Sequence, residues 1–356
     1  MAPIQGMRGT GEFGSDFRPK NYRELFTLLE PNGNAPLNAM LAMGSSEPTD
    51  DPEYKNFRDE LPDRVITVNG AVNSSSTASI TIDAADDNKF AIKGAIVINQ
   101  TTGEVMHVTA DTTATTLAVT RNIGGTSHQI ADNAVLFVAG FAAAEGATSP
   151  TAITFDATVT NNFTQIFRTA FQVSNTLAST YLRTGDKMDE SMTKALKLHM
   201  SDIERAMFFG NKNEASGSTA SPTRYTGGLT NSLTNVVDLA TSNATYGSSA
   251  ANNMTEDGLD KLLISTIFKY GSKQKIAFVG ETCAALLQKI GKARWQPTAI
   301  EGSYGINLTQ YSTFAGDLMV HLHPQFRQLA HMKTAMVIVD FPYLVYRYLE
   351  GRDTQL

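Results

Sequence analysis

One cysteine, Cys283, stands in a chain of 356 residues, so no disulfide can close within it and no cluster of thiolates can hold a metal. A reducing compartment fits that usage. Charge is also scarce: Asp, Glu, Lys and Arg make up 18% of the residues, against about 25% in an average soluble protein. The balance is acidic, −6 at pH 7, which argues against a dedicated nucleic-acid binder with its phosphate-neutralising excess of Lys and Arg. No apolar run approaches the roughly 18 residues needed to cross a membrane. Met1 to Pro19 has no apolar segment of the kind a secretory signal needs. The phosphate-cradling, dinucleotide-binding, zinc-protease and nucleophile-elbow motifs are all absent, which weighs against an enzyme.

Apolar residues are nonetheless plentiful, at 42%, enough to build a core. The charge deficit has a location. Between Val65 and Thr160 only eleven residues in ninety-six are charged, and Thr, Ser, Ala, Val, Asn and Gly fill the stretch. Alternating runs recur there: Val65–Val68, Ile80–Ile82, Ile96–Ile98, Val105–Val108, Leu117–Val119 and Val135–Val138. Turn signals such as Asn69-Gly70, Thr102-Gly103 and Gly124-Gly125 separate them. No segment between the runs has room for a crossover helix, so residues 63–146 read as a β module, a small barrel or sandwich of about six strands.

Beyond it the periodicity changes. Met188, Met192, Ala195, Leu196, His199, Ile203, Ala206 and Met207 recur at intervals of three and four, which predicts one helix over residues 186–208, about 35 Å long. Gly210 is its expected stop. Residues 211–253 are small and polar and read as a long loop, of the kind a partner often orders. Thr255-Glu256-Asp257 caps a helix carrying Leu259, Leu262, Leu263 and Ile267. A strand at Ile276–Val279, a helix over Glu281–Ile290 and strands at 306–312, 318–322, 335–339 and 343–348 complete an α+β second half.

Chemistry-bearing residues are few. His321, His323 and His331 form a conceivable three-histidine metal set, from which a metal-dependent hydrolase would follow. Alternating histidines on a strand rim are, however, commonly plain hydrogen-bonding groups. Cys283 lies in the first turn of a predicted helix, where a small core residue is the simpler reading of it. Asp340 reads as closing a turn before Pro342. Lys269, Lys273, Lys275, Lys289, Lys292 and Arg294 face the single acid Glu281 in their stretch, a local basic patch suited to nucleic acid or an acidic neighbour. Lysines solvating the polar faces of two helices explain it equally simply. The Thr-rich module also admits a β-rich surface binding protein or adhesin.

Taken in order, these pieces resemble the major capsid proteins of tailed bacteriophages with the HK97-type fold. The resemblance is carried by Phe17-Arg18-Pro19, Leu28-Leu29-Glu30-Pro31-Asn32-Gly33-Asn34-Ala35-Pro36-Leu37, Thr49-Asp50-Asp51-Pro52-Glu53-Tyr54 and Asp59-Glu60-Leu61-Pro62. Further phrases are Thr102-Gly103-Glu104-Val105-Met106, Asn162 to Arg168, Glu204-Arg205-Ala206, Arg224 to Leu229 and Tyr348 to Thr354. Similar proteins continue past that last phrase with a further strand, where here only Gln355 and Leu356 follow. The resemblance implies an N-terminal arm and start of an extended loop over residues 1–62, and the β module at 63–146 as an insertion. A peripheral domain with its spine helix and long loop follows at 147–254. An axial domain takes 255–332, and C-terminal strands return to the peripheral domain at 333–356. It implies no catalysis and no cofactor. The expected partners are further copies in hexamers and pentamers of an icosahedral head around double-stranded DNA, with scaffold, portal and decoration proteins beside them. The expected location is the virion capsid, assembled in the host bacterial cytoplasm without membrane contact. Arg58, Asp59, Glu60, Arg347, Arg352 and Asp353 are the candidate intersubunit ion-pair residues. Low charge suits such a shell, because many copies can then approach without accumulating repulsion.

Overall fold

The computed structural model describes residues 35–59, 63–84, 87–111, 114–154, 156–180, 186–215, 220–233, 235–238, 254–290 and 309–352. The chain divides into two compact units, Met1–Tyr54 with Asn161–Leu356, and Lys55–Thr160. The second unit is wider than the stretch 63–146 read from composition. Its extra residues come from strands β2 (Glu53–Arg58) and β9 (Thr158–Phe163), which pair with each other and begin or end in it.

Within the Lys55–Thr160 unit the alternating runs are strands, and the apolar partner of each alternation is buried. They are β3 (Val65–Thr67), β4 (Ser79–Thr81), β5 (Ala95–Asn99), β6 (Val105–Val108), β7 (Thr116–Thr120) and β8 (Val135–Phe141). Their order in the sheet is β3-β8-β5-β6-β7-β4, with antiparallel neighbours throughout. Just beyond the two edge strands Val68 and Ile82 bridge antiparallel, so the first and last strands of the order meet. One apolar cluster, with Ile66, Ile80, Val97, Met106, Leu117 and Leu136 at its centre, lies inside. The β5–β6 turn fits its sequence: Asn99 Oδ1 accepts the Thr101 N–H at 2.9 Å, and Gly103 takes φ +72°, which a glycine adopts without strain.

The other unit is α+β. Helix α1 (Pro36–Met43) leads into β1 (Ser45–Thr49), which pairs in parallel with β16 (Val345–Leu349). After the short helix α2 (Asn175–Ala178) comes α3 (Lys187–Phe209), one residue away from the predicted bounds at each end. Asp186 caps it by accepting the Met188 N–H, and Gly210 ends it. The predicted loop over 211–253 is not featureless: it carries a hairpin, β10 (Asn213–Ala215) with β11 (Thr223–Tyr225), and a helical turn α4 (Leu229–Ser232). Thr255 caps α5 (Glu256–Leu262), which widens into a π turn over Leu263–Ile267. A four-stranded mixed sheet follows, ordered β13 (Thr309–Ser312), β14 (Asp317–Leu322), β12 (Gln274–Val279), β15 (Met336–Val339), with α6 (Glu281–Ile290) between β12 and β13 in sequence. The last strand starts at Val345 and not at Tyr343, because Pro342 holds Phe341–Tyr343 in a 3-10 turn.

Two apolar clusters fill this unit. One packs α5, the π turn and α6 onto Ala277, Val279, Leu318 and Val320. The other sets Leu37, Met40 and Leu41 of α1 against Phe208, Phe278 and Phe326. The rings meet edge to face, with Phe208 5.2 Å from both Phe278 and Phe326.

Candidate functional site

Of the candidate contact residues, Arg58 closes β2, where its carbonyl accepts the Thr158 hydroxyl at 3.1 Å, and its side chain is exposed, as is that of Asp59. Glu60 and Asp353 lie outside the described residues. Arg352 is exposed one residue past the turn that follows β16. Arg347 already has a partner in its own chain: it faces Glu47 directly across the β1–β16 ladder, Nη2 to Oε2 2.5 Å. Sequence distance hid that pairing, since 300 residues separate the two.

The basic run divides as well. Lys275 does not face solvent. It is buried on β12, with Nζ 3.0 Å from Asp340 Oδ2 and 2.9 Å from the Tyr270 carbonyl. Burial works to raise the Asp340 carboxyl, but Ser272, which donates its N–H at 2.7 Å and its hydroxyl at 2.6 Å, and then Lys275 together hold it below the ordinary range. Asp340 is therefore a structural acceptor. Lys269, Lys273 and Lys289 are exposed, with Lys269 lying over the Tyr270 ring, and Lys292 and Arg294 lie outside the described residues. Glu281 is taken by Arg327 at 3.2 Å and Lys333 at 3.6 Å.

Nor are the three histidines brought together as ligands. His323 is fully buried with Nε2 2.9 Å from Glu204 Oε1, His321 packs its ring on Phe278, and His331 is exposed. Among the described residues no group of three or more His, Cys, Asp or Glu side chains is placed to hold a metal ion. Burial pushes the Cys283 thiol up to about 11, the opposite of a reactive thiolate, and the side chain packs with the α5–α6 core. No described helix is long and apolar enough to cross a membrane.

Two buried charged groups stand out that the sequence reading did not single out. Glu204, at the buried end of α3, accepts the N–H groups of Leu37 at 2.9 Å and Asn38 at 2.7 Å, besides its contact with His323. Its place four residues before Phe208, on the core side of α3, was a readable signal of burial. Glu104 takes a bidentate pair from Arg121, Nε–Oε1 2.7 Å and Nη2–Oε2 2.6 Å, and accepts the His128 N–H at 3.0 Å. Burial works against its charged form, but these donors outweigh it and hold the carboxyl below the ordinary range.

Several large apolar side chains remain exposed. Phe57, Ile166, Val236, Phe314 and Tyr343 each show 70% or more of their surface. The predicted stripe of α3 is covered only in its second half, around Ile203 and Phe208. Met188, Met192 and Leu196 of the first half lie open. Near them Glu190 pairs with both Lys187 and Lys194, which draw its carboxyl down to about 2. The first half of that stripe, with apolar residues four apart on one helix face, is a surface suited to association.

Comparison with known proteins points the same way. The chain is 28% identical over 367 residues to the major capsid protein of Pseudomonas phage PaMx41, across all of this chain and 85% of that protein. The SU10 major capsid protein family matches residues 8–355, which takes in both compact units. With nearly its whole length matched, the chain belongs to the SU10 major capsid protein family.

Proposed function

We propose that this protein is the shell subunit of a tailed-phage head, assembling with copies of itself into hexamers and pentamers of an icosahedral capsid that encloses double-stranded DNA. The observation that carries the reading is the family match over residues 8–355. The exposed apolar residues support it, since a subunit that meets neighbours around its whole perimeter leaves such groups open until assembly. On this reading the fold is of the HK97 type. Residues 1–62 serve as arm and start of the extended loop, 147–254 as peripheral domain around α3, 255–332 as axial domain and 333–356 as returning strands. The six-stranded unit is then a rolled, barrel-like insertion at 63–146. Scaffold, portal and decoration proteins are its further partners, and packaged DNA is met by proximity without sequence readout.

Negative-stain microscopy and sedimentation of the full chain test this. Shells, tubes or rings are expected as concentration rises, with or without a co-expressed scaffold. A strictly monomeric species under both conditions would refute the proposal, and glycan binding by that monomer would favour an adhesin instead.

A further inference from the structure

The first turn of α1 is held by a carboxylate that is not its own. Its N-cap residue, Ala35, has no side-chain oxygen, its first turn contains no acidic residue, and Pro36 removes one amide donor. The amides of Leu37 and Asn38 go instead to the two oxygens of Glu204, 167 and 166 residues away. Eight residues are too few for a helix to persist alone. The strand that follows is no sturdier. Among the described residues β1 pairs with β16 only, and four of its five residues are exposed, so β1 is the open strand of a two-stranded parallel pair whose other strand is half-buried.

Neither half of this stretch is stable by itself, yet the two are joined through Gly44 and attached at both ends. Leu37, Met40 and Leu41 enter the aromatic cluster at one end, and Glu47 meets Arg347 at the other. The third partner of Glu204, His323, is enclosed by the rings of Phe208, Phe278 and Phe326, and its backbone N–H donates to the Val279 carbonyl at 3.0 Å. One carboxylate thus joins α1, α3 and the segment just after β14.

We propose that Pro36–Thr49 is a strap that opens and closes as one body and that Glu204 is its latch. Because the latch oxygen is shared with His323, strap closure and the seating of His323 favour one another. Glu204 acts here as a positioning residue through the cap it lends to α1. The inference concerns this chain's own fold and stands apart from the reading of assembly.

Hydrogen–deuterium exchange of the full chain tests it. In Glu204→Gln the amides of residues 37–49 are expected to lose protection together, by on the order of tenfold, the equivalent of one lost helix cap. The amides of β12 and β14 should keep theirs. Adding Ala35→Ser supplies a local cap oxygen and is expected to restore much of the protection over 37–49. Loosening the far end with Arg347→Ala, a change at a half-exposed side chain outside the apolar clusters, should raise exchange of the α1 amides as well, by about two- to fivefold. The proposal is overturned by exchange that rises only at Leu37 and Asn38, by loss that spreads through the four-stranded sheet, by failure of Ala35→Ser to restore protection, or by α1 amides indifferent to Arg347→Ala. Should Glu204→Gln not fold, the Arg347→Ala result decides alone.

Discussion

Replacing Arg121 with methionine gives the sharpest test of how the β unit is held. The methionine keeps much of the apolar stem and removes only the guanidinium. In the native unit that group satisfies both oxygens of Glu104, reaches the Ser74 carbonyl at 3.4 Å and donates to the His128 carbonyl. The side chains of Arg121 and Glu104 are 5% and 0% exposed, so water cannot take over these bonds without opening the structure. Breaking a buried pair from one side leaves the other charge uncompensated, at a cost of about 3–5 kcal/mol. For a unit of about 100 residues that corresponds to a fall in Tm of roughly 15–30 °C. The assay is calorimetry of the full chain, with hydrogen exchange identifying which unit melts. The pH dependence is more diagnostic still. Glu104 has a folded pKa below its ordinary value of 4.5, so the stability it contributes is complete above 4.5 and is lost as pH falls through the lower folded value. Removing Arg121 takes away the strongest group opposing burial, so the folded value rises and the variant should lose less stability than the wild type as the solution is acidified. The double variant Glu104→Gln with Arg121→Met should be less damaged than Arg121→Met alone. An Arg121→Met protein within about 1 kcal/mol of wild type, with an unchanged pH slope, would refute the reasoning.

Three further outcomes follow from the other unit. Gly271 has φ +82° and a Cβ there would collide with Asp340 Oδ2, so Gly271→Ala should cost about 2–4 kcal/mol through backbone strain and displacement of the Ser272–Asp340–Lys275 network, read as a lower urea midpoint. A change under about 0.5 kcal/mol would contradict that geometry. Cys283, with its thiol at about 11, should present on the order of one thiolate in a thousand at pH 8 and react with disulfide reagents only after unfolding. Rapid labelling of the folded protein would show the pocket to be open. Arg347→Ala should lower stability by less than about 1 kcal/mol, since its pair with Glu47 is half exposed, and a complete loss of folding would rule out so modest a role.

Local pattern carried far along this chain. The span of α3, to within one residue at each end, and its Gly210 stop follow from spacing of three and four and from residue type, and the six strands of the β unit follow from alternation and turn residues, because each of these is decided within a few residues. The π turn after α5, the 3-10 turn at Pro342 and the hairpin inside 211–253 were less visible, since they depend on packing and on a single proline against weak local preference.

The candidate contacts show the limit more plainly. Charge count and clustering were legible, but Lys275 and Arg347 found buried or cross-strand partners 65 and 300 residues away. What the sequence by itself determined is the inventory and its local order: one cysteine with no partner, a charge-poor strand region, a long two-faced helix and no catalytic motif. Only the tertiary structure decided which charges are spent inside the chain, as Glu204 is on α1 and His323, and Glu104 is on Arg121. The physical reason is that helix and strand periods arise from neighbours a few bonds apart, whereas a buried carboxylate takes its donors from whatever the folded core brings to it, at a sequence separation that no local period encodes.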